Sequence, residues 1–92
     1  MALTDDELEV IAARSAAATS GPWWAWVEGR DGLGGDTFIG RGVDGARHPD
    51  LYLSTDPGER VSAEDHDFIA HARQDVPALV AEVRRLQGLM DA

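Results

Sequence analysis

The chain has 92 residues, 43% of them apolar, which is enough for one folded domain spanning 1–92 and too apolar for wholesale disorder. It has no cysteine, which removes disulfides and thiolate metal sites, and its net charge of −9 is spread evenly, −3 in each of residues 1–20, 21–61 and 62–92. No basic patch is offered to duplex DNA, and no apolar run reaches the length of a membrane span.

Residues 1–20 read as a helix. Thr4-x-x-Glu7 forms a capping box, and Leu3 and Leu8 have the spacing of a hydrophobic staple. Leu8, Ile11, Ser15 and Ala18 make a narrow stripe of mostly small residues, and the helix is expected to run to about Thr19, where Gly21 and Pro22 stop it. The acidic start MALTDDELEV differs from the basic start of a secretory leader, so a cytoplasmic protein is expected.

Residues 21–61 hold most of the glycines and three of the four prolines, separating the β-prone runs WWAWVE, DTFIGR and DLYLST. Their spacing predicts a three-stranded antiparallel meander. Alternation in the first run puts Trp24 and Trp26 on one face and Trp23, Ala25 and Val27 on the other. In the other runs Phe38 opposes Thr37, Ile39 and Arg41, and Tyr52 opposes Leu51 and Leu53.

Residues 62–92 read as two helices. Ser62-x-x-Asp65 caps the first, which carries Phe68, Ile69 and Ala72; Asp75 caps the second, with Pro77 in its first turn. Val76, Leu79, Val83, Leu86 and Met90 follow heptad spacing over two heptads, a seam for the chain's own sheet or for a second copy. The resulting fold class is α+β: an N-terminal helix, a small three-stranded antiparallel sheet and two C-terminal helices.

Catalytic and metal-binding patterns are weak. Asp67 and His71 share a helical face, but two ligands are too few for zinc, and a solvated hydrogen bond explains them more simply. The segment GRDGLGGDTFIGRGVDG has neither the phosphate-loop nor the dinucleotide pattern, and the chain has no lysine to complete the former. The three tryptophans leave more open. Trp23 suits the core, whereas Trp24 and Trp26 can complete the same core, form a protein-contact surface, or stack on a flat ligand beside arginines.

Two stretches, AARSAAATSGPWW (12–24) and DFIAHARQDVPALVAEVRRLQ (67–87), resemble a family of small phage and prophage proteins, the Ead-like early proteins of lambdoid phages and their relatives in actinobacterial phages. The family pattern is an Ala-rich helix, Ala-Thr-Pro-Gly-Pro-Trp, a variable middle, and Asp-x-x-Phe-Ile-Ala-x-Ala-Arg-x-Asp-Val-Pro. The match covers about a third of the chain, and this chain departs from it at Ser20, where the family has proline, and in its WWAW cluster. The resemblance implies an accessory early phage protein acting in the cytoplasm of an infected or lysogenic bacterium. It brings no catalytic residues with it. The matched Trp23, Phe68, Ile69, Arg73 and Pro77 are expected to be structural.

The leading expectation is a non-enzymatic counter-defence sponge, without metal or cofactor, that sequesters a small nucleotide-type immune signal. Trp24, Trp26 and Tyr52 would stack on the ligand and Arg41 and Arg47 would contact its anionic groups, in a homo-oligomer formed through the C-terminal helix. The alternative is an acidic protein–protein interaction module that inhibits a basic host protein. A metal-dependent phosphodiesterase using Asp67 and His71 ranks last.

Overall fold

The computed structural model describes residues 3–32, 35–42, 48–54 and 61–91, with residues 90 and 91 as backbone alone. Helix α1 (Asp5–Ala17) begins at Thr4, whose hydroxyl accepts from the Glu7 amide at 3.1 Å while the Thr4 amide donates to the Glu7 carboxylate at 2.9 Å. This reciprocal cap satisfies two of the helix's free N–H groups, and Asp5, Asp6 and Glu7 in the first turn suit its positive end. The helix stops at Ala17, before the expected Thr19. Two sheet residues claim Thr19 instead: its carbonyl accepts from the Trp23 indole at 3.1 Å, and its hydroxyl accepts from Arg41 at 2.9 Å.

Strands β1 (Trp23–Trp26) and β2 (Phe38–Arg41) pair antiparallel, with Trp23 opposite Arg41, Trp24 opposite Gly40, Ala25 opposite Ile39 and Trp26 opposite Phe38. The sheet has two strands and not the expected three. Of the run DLYLST only Leu51 bridges to β2, exchanging both backbone hydrogen bonds with Ile39 at 2.8 and 2.9 Å. The chain bends at Leu53, so the ladder ends after one rung.

Helix α2 (Ala63–Asp91) is continuous and replaces the two expected C-terminal helices. Ser62 caps it as foreseen, accepting from the Asp65 amide at 3.1 Å. Pro77 lies inside the helix, not at a new start. Its ring removes one backbone donor, a loss on the order of 3 kcal/mol. The helix continues through it, with Ala70 before the proline and Val80 after it both buried.

That packing is legible in the cross-links. Ser15 meets Arg73 at 2.9 Å, Glu9 meets Arg84 at 2.8 Å and Asp5 meets Gln87 at 3.1 Å, so α1 runs antiparallel along the C-terminal part of α2. The sheet covers the N-terminal part. The Gln74 amide there pairs with the Trp23 backbone through bonds of 2.9 and 3.1 Å, as a neighbouring strand would. The core is small: Leu8, Ile39, Ala70 and Val80 are buried, with His66 donating from Nδ1 to the Ser62 carbonyl at 2.8 Å.

Two readings of α2 change with this geometry. Val80, outside the proposed heptad seam, is the buried valine, while the seam residues Leu79 and Leu86 face solvent and the Met90 side chain lies outside the described residues. Phe68, expected to be structural, is 75% exposed. The inward helix face passes through Ala70 and Arg73, and Phe68 falls across the helix from it. No helix among the described residues is long and apolar enough to cross a membrane.

Candidate functional site

A two-stranded sheet has two faces, and alternation sorts the side chains between them. Trp23, Ala25, Ile39 and Arg41 face the helices. Trp24, Trp26, Phe38 and Gly40 share the outer face, and Tyr52 joins them from the chain beyond the Leu51 bridge.

The rings on this outer face form one connected group. Phe38 sits at its centre, edge-on to Trp24 at 6.0 Å between centroids, nearly parallel to Trp26 at 6.4 Å and tilted against Tyr52 at 5.8 Å. These spacings lie in the range where aromatic pairs attract beyond simple burial. Trp24 is still 43% exposed, Trp26 37% and Tyr52 50%. A substantial aromatic surface is therefore left in water, while few large side chains among the described residues are buried.

Glycines make room for the indoles. A methyl group at Gly40 would fall 2.1 Å from the Trp24 ring, and one at Gly32 would fall 2.5 Å from the Trp26 ring. Each indole therefore fills the space that a side chain at the neighbouring glycine would take.

The five residues proposed from the sequence do not all meet. Trp24, Trp26 and Tyr52 come together on the outer face. Arg41 is on the other face, opposite Trp23, with its guanidinium 5.8 Å from the Trp23 ring centroid. It donates to the Pro49 carbonyl at 2.8 and 3.0 Å and to the Thr19 hydroxyl at 2.9 Å. This clamp joins the end of α1, the sheet and the segment before Leu51, and the clamped arginine does not flank the aromatic cluster as expected. Arg47 lies outside the described residues.

Arg30, in the turn after β1, is also engaged. It makes a two-point contact with Asp67 on α2 at 2.8 and 3.0 Å and bonds Asp31. The Arg30 hydrogen bonds are the main reason that the Asp67 carboxyl titrates below its ordinary value. For Asp31 the Val27 amide is the larger cause and Arg30 the second. Asp67 is thus occupied as an anchor for the turn. His71 Nδ1 donates to the Asp67 carbonyl at 2.8 Å, so the pair is not aligned as an acid and base. Among the described residues no three His, Asp or Glu side chains converge as a metal site would require.

Sequence reasoning missed Phe38, Gly40, Gly32 and Gln74. The signal for Phe38 was present, since DTFIGR sets it opposite Ile39. Its meeting with the indoles depends on strand register. Comparison with protein-family models, with curated proteins and with solved structures finds no match for this chain.

Proposed function

We propose that the chain is a non-catalytic binding protein whose contact surface is the Trp24–Trp26–Phe38–Tyr52 face and whose partner is a basic protein segment. One observation carries this reading: three exposed rings, Trp24, Trp26 and Tyr52, are joined through the half-buried Phe38 on one face of a chain with net charge −9. Arginine and lysine side chains are drawn to aromatic faces, and the acidic chain favours their approach. Exposed tryptophan and tyrosine are also the usual energetic centre of a protein interface. The resemblance to phage accessory proteins fits a host protein as the target.

The nucleotide-sponge reading becomes the second one. The rings support it as stacking surfaces, but Arg41 is committed to Thr19 and Pro49 and Arg30 to Asp31 and Asp67, so the anion contacts lose their main candidate. The test is a tryptophan-fluorescence titration with an arginine-rich peptide and, separately, with a panel of cyclic and ADP-ribose-type nucleotides. Binding of the peptide that weakens with salt and falls at least tenfold in Trp24→Ala is expected. Nucleotide binding without peptide binding reverses the order of the two readings.

A further inference from the structure

The outer sheet face carries charge as well as rings. Exposure alternates without a break along residues 23–28 and again along 50–53, so Glu28 lies on the side of Trp24 and Trp26, and Asp50 on the side of Tyr52. The strand register orders this face into rows. Trp26 is opposite Phe38, and the Leu51–Ile39 bridge brings Tyr52 to the other side of Phe38. One step of two residues further, the same register sets Glu28 opposite Asp36. The Glu28 amide donates to the Thr37 hydroxyl at 3.2 Å, so the two chains still run side by side at that row. In the other direction Trp24 is opposite Gly40, with Asp50 beyond it. Carboxylates therefore flank the aromatic row on both sides.

We propose that this face takes an arginine side chain of the basic partner, its guanidinium laid on the exposed part of the Trp26 ring and its N–H groups shared by the Glu28 and Asp36 carboxylates. The inference rests on the reading of this face as a contact surface for a basic segment, and names the residue type that the surface selects. Charge complementarity carries it. Among the described residues the ion pairs engage Asp31, Asp67, Glu9 and Glu82, and Glu28, Asp36 and Asp50 take part in none of them. Arg30 is held by Asp31 and Asp67, and Arg41 by Thr19 and Pro49. Like charges directly opposite across a ladder disfavour pairing, and a cation arriving from outside relieves the Glu28–Asp36 opposition.

The arrangement favours arginine over lysine. A guanidinium is planar, stacks on an aromatic ring and offers paired N–H groups to carboxylates, whereas the lysine ammonium is a compact and strongly hydrated charge. Ring and carboxylate are also neighbours here. The Trp26 indole occupies the space beside Gly32, and Gly32 is bridged to Glu28. Trp26 is 37% exposed and Tyr52 50%, which leaves ring surface on either side of Phe38. A phosphate approaching the same rings would meet Glu28, Asp36 and Asp50, all of which repel it.

The deciding experiment titrates the full chain, by tryptophan fluorescence, with two peptides of equal length and charge, one arginine-rich and one lysine-rich. The arginine peptide is expected to bind about fivefold more tightly, and Glu28→Gln and Asp36→Asn each to weaken it by about that factor and remove the preference. Asp6→Asn removes one exposed charge from α1, remote from the sheet face, and should leave both affinities nearly unchanged. Without peptide, Glu28→Gln should raise the melting temperature, because one of two opposed charges is gone. A lowered melting temperature would mean that the two carboxylates do not face each other, which overturns the proposal. Equal binding of the two peptides, or an equal loss in Asp6→Asn, also overturns it. If Trp24→Ala still abolishes binding in that case, the aromatic face stands as the contact surface and only the arginine preference falls. Failure of both peptides to bind wild type overturns the proposal together with the reading on which it rests.

Discussion

At Gly40 the strand gives up its side chain so that its partner across the ladder has room for its ring. Trp24 and Gly40 are directly opposite in the register, and the indole fills the space that any larger residue at position 40 would take. Gly40→Ala should therefore destabilise the fold by about 1–3 kcal/mol, the usual range for overpacking, and shift the tryptophan emission to longer wavelength as the indole moves into water. Chemical denaturation followed by fluorescence checks it. The same substitution in a Trp24→Ala background should cost much less, because the clash partner is gone; equal costs in both backgrounds would mean that the strain lies in the backbone. How much of this was legible follows from what each inference needed. That Trp24 and Trp26 share a face follows from a period of two and requires no knowledge of pairing. That Arg41 sits opposite Trp23, away from those rings, depends on the register set by the connection between the strands, and neither the glycines nor the charges of that connection specify it.

Among the elements, α2 is where local signals and tertiary packing disagree. Asp75 and Pro77 form a good helix start in isolation, yet the helix runs through them. A proline in a helix interior leaves the carbonyl four residues earlier, here Arg73, without its backbone donor. Pro77→Ala restores that N–H and should raise stability by about 1–3 kcal/mol, measured as an increase in melting temperature with unchanged helicity. A lower melting temperature would show that the proline satisfies a constraint its neighbours impose. Local reading found both helix starts at Thr4 and Ser62, since capping is a matter of a few consecutive residues. It failed at the helix ends and at the third strand. The end of α1 is set by Trp23 and Arg41 reaching back to Thr19, and a strand at Leu51–Leu53 needs a straight partner that the bend at Leu53 denies it.

Over the whole molecule, the sheet and α1 are tied to α2 by a few polar contacts around a small core. The Arg30–Asp67 pair is the one with a clear pH signature. Asp67 has its folded-state pKa lowered, by the Arg30 hydrogen bonds first and by attraction to Arg30, His71 and His66 as well. A lowered carboxyl pKa contributes stability above the unfolded-state value of about 4 and loses it as pH falls through the folded-state value. Arg30 remains charged throughout, its own pKa being raised by the same pair of carboxylates. Wild type should therefore melt above Asp67→Asn at neutral pH, with the gap closing in the acid range below about pH 4. A gap unchanged at low pH would mean that the pair contributes through packing alone. Because the contact joins residues 37 positions apart in sequence, only the folded chain reveals it.

The outer sheet face rests on two glycines, Gly40 within the ladder and Gly32 in the turn after β1, each leaving the space that a neighbouring indole fills. The positions that shape the contact surface are therefore the same positions that let the strands pair and the turn close. Changing what this face binds by substitution beneath the rings would change the stability of the fold in the same step, whereas changes at the exposed ring edges would leave it untouched.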